Sequence, residues 1–116
     1  MVLLLDDDEA FRSALSELLQ DDGHTVRHYG SIAELPNLAK LPPLTALITD
    51  YQLNESENGL TVAQRIRAEQ PRVPVIIVTA HASDHLEKSV AATPYVWLLR
   101  KPVRYEEVRQ LLLEHA

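Results

Sequence analysis

Val2-Leu3-Leu4-Leu5-Asp6-Asp7-Asp8-Glu9-Ala10-Phe11-Arg12-Ser13-Ala14-Leu15-Ser16-Glu17-Leu18-Leu19 decides the class of fold. Its apolar opening, Val2 to Leu5, is unbroken and stops at acids, the pattern of a short strand buried on both faces. From Glu9 the period changes. Phe11, Ala14, Leu15, Leu18 and Leu19 fall on one face of a helix, and Asp21-Asp22-Gly23 ends it with a glycine stop. A buried strand running straight into an amphipathic helix is the building block of a parallel sheet.

Outward from that unit the alternation continues. His24 to Tyr29 alternates weakly and reads as a less buried strand. Ser31 is placed to cap a short helix through Leu35, limited by Pro36, and Leu38 to Pro43 reads as loop. Leu44 to Thr49 is a second buried strand, closing on Asp50, and Gln52 to Asn58 is a polar loop. Gly59 to Glu69 is helical, with Leu60, Val62, Ala63 and Ile66 inward. Val73 to Val78 is β-branched throughout apart from Pro74. Ser83 to Ala91 is a modest helix carrying Leu86 and Val90. Tyr95 to Leu99 is a fifth strand, and from Val103 a last helix turns Val108, Leu111 and Leu112 inward. Five alternations predict a doubly wound α/β domain: a five-stranded parallel sheet with helices on both faces. In such sheets ligands bind beyond the carboxyl ends of the strands.

Composition narrows the function. The 116 residues suit one domain, 1–116, large enough to bury a core without staples. With no Cys there is no disulfide framework, thiolate metal site or Cys nucleophile. Eleven Lys and Arg against 17 Asp and Glu give a formal charge of −6, which argues against a nucleic-acid-binding surface. The apolar runs are too short to span a membrane or form a signal-peptide core. The five His show no metal-ligand spacing, and His24, His28, His85 and His115 read as surface residues.

The chemistry collects at the strand ends. Asp6, Asp7 and Asp8 follow the first strand, Asp50 ends the third, Thr79 the fourth, and Lys101-Pro102 follows the fifth. Two carboxylates about 4 Å apart repel by roughly 4 kcal/mol at an effective dielectric of 20, so such a cluster calls for a cation. All-oxygen ligation suits Mg²⁺, and Lys101 adds a second positive charge. Each residue taken singly has a plainer role: helix capping for Asp6 to Asp8, strand propensity for Thr79, a solvated surface charge for Lys101.

Taken together, Leu3-Leu4-Leu5-Asp6-Asp7-Asp8-Glu9, Thr49-Asp50-Tyr51-Gln52-Leu53 with Gly59-Leu60, Val78-Thr79-Ala80 and Lys101-Pro102 resemble the signatures of the receiver domain of two-component response regulators, in order and along the whole chain. The resemblance implies a flavodoxin-like (βα)5 fold with strand order 2-1-3-4-5. It implies that Asp50 accepts a phosphoryl group from a phosphohistidine on a histidine kinase or histidine phosphotransfer protein. Mg²⁺ would be held by Asp7, Asp50 and the backbone carbonyl of Gln52, with Asp6 acting largely through water. Lys101 would pair with a phosphoryl oxygen, and Thr79 would move to bond another. Gln52 and His81 would flank the attacking water. A cytoplasmic signalling domain that accepts and slowly loses its phosphoryl group is the implied setting.

Departures from the pattern carry expectations of their own. Receivers commonly have Tyr or Phe three residues before the Lys; here it is Leu98, while Trp97 should face the opposite side of its strand. Altered output, rather than lost phosphorylation, is expected. Glu55 and Glu57 add charge beside Asp50 and read as solvated loop residues. The ending Trp97 to Val103 with Val108 to Leu113 is similar to receivers fused to hybrid sensor histidine kinases. Ala10, Phe11 and Pro102-Val103 mark the region where the family docks histidine-bearing helices, although Phe11 reads equally well as core. The fourth helix, fifth strand and fifth helix, with His85, Lys88, Leu98 and Arg100, form a second candidate surface for partners or a homodimer. Two other functions compete: a pseudo-receiver used only for docking, and a small Mg²⁺-dependent phosphohydrolase with Asp50 as nucleophile. The second lacks a cap insertion and has Gln52 where a general acid is needed.

Overall fold

The structure, a computed structural model, describes residues 1–53 and 57–116. Five strands, β1 (Val2–Leu5), β2 (Val26–Tyr29), β3 (Ala46–Asp50), β4 (Val75–Thr79) and β5 (Val96–Arg100), form one parallel sheet in the order β2-β1-β3-β4-β5. Four helices pack on it: α1 (Glu9–Asp21), α2 (Gly59–Glu69), α3 (Asp84–Ala91) and α4 (Tyr105–His115). The central strands β1, β3 and β4 are buried along their whole length, which accounts for their unbroken apolar runs. Edge strand β2 exposes Arg27 and His28, hence its weak alternation.

The sheet divides two apolar layers. On one side Leu3, Leu5, Leu47, Val75 and Ile77 pack with Val62, Ile66, Leu86 and Val90 of α2 and α3. On the other, Val2, Leu4, Ile48, Ile76 and Val78 pack with Leu15, Leu19, Val108 and Leu112 of α1 and α4. The alternation of side chains along each strand assigns them to these layers. Leu98 joins the first layer and Leu99 the second, so Trp97 lies on the α4 side, where its ring stacks on His115 at 4.1 Å.

The expected fold needs one correction. Among the described residues there is no α-helix between β2 and β3, so the (βα)5 repeat is incomplete. Two 3₁₀ turns, Ile32–Glu34 and Leu38–Lys40, replace it. Ser31, expected to cap a helix, makes no side-chain cap bond. The cause lies in the prolines. Leu35 and Leu41 each precede one, and both adopt extended backbone, at ψ 141° and 140°. A residue before proline is pushed out of the helical region, so each turn stops after three residues. Ile32, Leu35, Leu38 and Leu41 still cover the first layer, doing by short turns what a helix would do elsewhere.

Candidate functional site

The carboxyl ends of β1, β3, β4 and β5 meet at one edge, and the acids found in the sequence divide their work there. Asp8 is the helix cap: its Oδ1 accepts the Phe11 N–H at 3.1 Å. Asp6 turns inward. It is 1% exposed, its Oδ1 accepts the Asp8 N–H at 2.9 Å, and its Oδ2 lies 3.1 Å from Lys101 Nζ. Capping therefore explains one of the three acids. Asp50, 8% exposed, ends β3 directly beside β1, and one oxygen from each of Asp6, Asp7 and Asp50 lies within 4.8 Å of the others. Asp7 is exposed at the mouth of this cluster.

Lys101 supplies the compensating charge. Its Nζ sits between Asp6 Oδ2 and Asp50 Oδ2, 3.7 Å from the latter, and 4.8 Å from the centre of the Phe11 ring. An aromatic face at that distance adds a further attraction for the ammonium. The Lys101 N–H donates to the Thr79 carbonyl at 2.8 Å, tying the end of β5 to that of β4, and the Lys101–Pro102 peptide is cis.

The electrostatics follow from burial first and from the neighbouring charges second. Burial pushes the Asp50 carboxyl up, Asp6 adds to the rise, and Lys101 and the Gln52 N–H oppose it without cancelling it. For Lys101, burial alone would lower the ammonium; the hydrogen bond and charge of Asp6, then Asp50 and Asp8, outweigh it and hold the group above its ordinary value. Three carboxylates against one ammonium give the site more negative charge than its cation offsets. Three converging carboxylates and no softer donor form a hard oxygen set, which fits a divalent ion such as Mg²⁺.

Other expected residues are placed as follows. The Gln52 N–H points to Asp50 Oδ1 at 3.4 Å. The Thr79 hydroxyl is at the same edge but is engaged by its own loop, donating to the His81 carbonyl at 3.1 Å and accepting the His81 N–H at 3.2 Å. The His81 side chain is exposed. Glu57 pairs with Arg65, whereas Glu55 lies outside the described residues. Phe11 packs against the second layer, as its core reading expects, and its ring lies 4.8 Å from Lys101 Nζ. Gly59 is there because a Cβ would lie 2.5 Å from the Asp50 carbonyl oxygen; its N–H closes the loop onto the Tyr51 carbonyl. Arg12 Nη1 also reaches this edge, donating to the Asp6 carbonyl at 2.7 Å, a contact that had no signal in the sequence.

Fold and site together define an α/β domain with a carboxylate cluster and a lysine at the carboxyl edge of its parallel sheet. The profile of the response regulator receiver domain matches residues 2–113, and the chain belongs to that family. It is 30% identical to the photosynthetic apparatus regulatory protein RegA of Cereibacter sphaeroides, over 97% of this chain and 60% of RegA. It is 27% identical to a protein described as an NtrX-like response regulator of Rickettsia typhi, over 94% of this chain and 26% of that protein. The chain therefore spans roughly a quarter to three fifths of these curated relatives. Among solved structures, a response regulator from Burkholderia pseudomallei with a phosphorylated aspartic acid, calcium ion and citrate superposes with a TM-score of 0.80 at 25% identity, covering 96% of this chain and 65% of that one. Among the described residues no helix is long and apolar enough to cross a membrane.

Proposed function

We propose that this domain is a phosphoacceptor in a two-component phosphorelay, and that Asp50 takes the phosphoryl group from a phosphohistidine of a histidine kinase or phosphotransfer protein. The observation that carries this reading is the convergence of Asp6, Asp7 and Asp50 oxygens within 4.8 Å, bridged by Lys101 Nζ. The phosphorylated aspartic acid of the Burkholderia pseudomallei neighbour supports it.

Asp50 is the nucleophile: a carboxylate oxygen forms the new P–O bond as the P–N bond to the partner's imidazole breaks, and the imidazole leaves as a good, protonatable group. The protein has little covalent work to do beyond that; its task is to align donor and acceptor and neutralise charge. The Gln52 N–H orients Oδ1, and Lys101 is already on the Oδ2 side, where a phosphoryl oxygen would take over part of its pairing. Mg²⁺, when bound through Asp7, Asp50 and the Gln52 carbonyl, with Asp6 through water, would supply Lewis-acid neutralisation of the phosphoryl oxygens. The Thr79 hydroxyl would exchange its His81 contacts for a phosphoryl oxygen and so report the new group to α3 and β5. Hydrolysis of the acyl phosphate, with Gln52 and His81 beside the incoming water, returns the domain to its resting state.

The groove formed by Phe11, Leu15, Leu18, Lys101, Pro102 and Val103 beside the site suits an apolar helix of the phosphodonor protein. Self-association would use α3, β5 and α4. Exposure to acetyl phosphate and Mg²⁺, followed by intact mass, tests the reading: one labile phosphoryl group, absent in Asp50→Asn, is expected. A folded wild-type protein that neither binds Mg²⁺ nor gains mass would leave a docking module; steady turnover of phosphate monoesters would make it a hydrolase.

A further inference from the structure

Lys101 approaches the acidic cluster from the β5 side, and a second cation reaches it from the opposite side. Arg12, on the second turn of α1, donates from Nη1 to the Asp6 carbonyl oxygen at 2.7 Å and from Nε to His28 Nδ1 at 3.0 Å. The Asp6 N–H donates to the Tyr29 carbonyl at 3.2 Å. That bond is the last of the β1–β2 ladder, which ends at the Leu5–Tyr29 register, so the Asp6 carbonyl is the first group on this side left beyond sheet pairing. A buried carbonyl just beyond the last paired residue needs a donor, and here Arg12 supplies it.

The surroundings are shaped for that guanidinium. Gly30 has no positive φ that would demand glycine; Gly23 is the glycine with that backbone. A Cβ at Gly30 would instead meet Arg12 Nη1 at 3.0 Å and Glu34 Oε2 at 3.3 Å, and Glu34 Oε2 accepts the Gly30 N–H at 2.7 Å. His28 Nδ1 accepts from Arg12 Nε through its lone pair. The planar guanidinium meets its two acceptors through separate nitrogens, Nη1 and Nε, whose relative direction its plane fixes.

We propose that Arg12 is a positioning residue of the phosphoacceptor site: it locks the Asp6 backbone from a seat formed by His28 and Gly30, and thereby sets the Asp6 and Asp7 carboxylates for cation binding. The proposal rests on the reading of those carboxylates and Asp50 as a Mg²⁺-dependent site. It assigns a function to a side chain whose contacts are the Asp6 backbone and His28 rather than the carboxylates themselves.

The test uses the whole chain and two readouts. The first is Mg²⁺ affinity from an NMR titration. The second is hydrogen exchange of the Asp8 N–H in metal-free protein, because that group bonds Asp6 Oδ1 and senses Asp6 directly. Arg12→Met is expected to weaken Mg²⁺ by about tenfold, the low end of what loss of an outer partner costs a metal site, and to speed Asp8 exchange. Arg12→Lys, which keeps the charge and a donating nitrogen but not the fixed fork, should recover part of both. Gly30→Ala leaves Arg12 in place but displaces its tip, so both readouts should move in the same direction by less. Unchanged affinity and exchange in Arg12→Met, or no recovery in Arg12→Lys, would overturn the proposal. If Arg12→Met does not fold, wild-type values in folded Gly30→Ala overturn it instead. A wild-type chain that ignores Mg²⁺ would sink the phosphoacceptor reading, while Asp8 exchange in the variants would still decide whether Arg12 positions Asp6.

Discussion

The two halves of the site edge are built differently. At the β1–β3 half, Asp6 is held by the Asp8 N–H, Lys101, Arg12 and Tyr29, and Asp50 is held by Gln52 and Lys101. At the β4–β5 half, the Thr79 hydroxyl is turned back on the His81 backbone, Leu98 packs into the layer under α3, and Arg100 is exposed and paired with Glu87. The first half is fully bonded as it stands. The second is satisfied in a way that must be undone if phosphorylation is to be felt. Charge chemistry needs preorganisation, because donors fixed in place need not rearrange during transfer. A switch needs an alternative bonding arrangement of similar energy.

The largest expected effect breaks the first half. Asp50→Asn removes the acceptor, so acetyl phosphate labelling should vanish in intact mass while the fold persists. Mg²⁺ at about a hundred times its dissociation constant should stabilise the wild type by about 2.7 kcal/mol against denaturant, and this increment should shrink sharply in the variant. Any label that survives at wild-type level would move the acceptor elsewhere.

Next is Lys101→Met, which leaves Asp6 and Asp50 facing each other without a cation. Labelling by acetyl phosphate should slow by about a hundredfold, the cost of removing one charge-stabilising group from a transfer site. Rates within a factor of two of wild type would show that Lys101 only screens the resting carboxylates.

The pH dependence sharpens the same half. Burial first, and Asp6 second, raise the Asp50 carboxyl, so over the window just above the ordinary Asp value the folded chain keeps a proton that the unfolded chain has lost. Metal-free stability should therefore fall as pH rises through that window, and Mg²⁺ affinity should rise as the competing proton leaves. Denaturant titrations of wild type and Asp50→Asn across mildly acidic pH check this; parallel curves would contradict it. Lys101 acts at the other end of the scale: its raised value adds stability that is present below its ordinary pKa and lost as pH climbs through the higher folded one.

Smaller effects belong to the second half. Thr79→Ala should lose about 1 kcal/mol of stability with the His81 hydrogen bonds, keep labelling within roughly threefold, and blunt the beryllofluoride-induced NMR shifts along α3 and β5. Leu98→Tyr should leave labelling unchanged and enlarge those shifts. A Leu98→Tyr chain with wild-type shifts would mean that the signal leaves by another surface, such as the Trp97–His115 stack.

Much of this was legible in the chain. The buried strands announce themselves because residues covered on both faces must be apolar regardless of what covers them, as with Val2 to Leu5 and Val75 to Val78. Asp50, Thr79 and Lys101 were legible because strand ends in a parallel sheet share one edge. The segment between β2 and β3 was less so. Pro36 and Pro42 are plain to see, but whether Leu35 and Leu41 close one short helix or two turns depends on the sheet surface that Ile32, Leu38 and Leu41 must cover. The histidines lie on the surface as read, but their contacts were not legible. His28 and His115 carry no local signal, yet one is the acceptor for Arg12 and the other stacks on Trp97.

By itself, the sequence determined the alternation of strands and helices and the chemical types at the strand ends, because hydrophobic period and proline or glycine punctuation act over a few residues. Tertiary structure decided which acid does what. Asp6, Asp7 and Asp8 are adjacent in the chain and alike in chemistry; only the meeting of β1 with β3, and the return of Lys101 from 95 residues away, make Asp8 a cap, Asp6 a buried partner and Asp7 the open face. Interactions between charges depend on distances in space, and those exist only once the strand order is set.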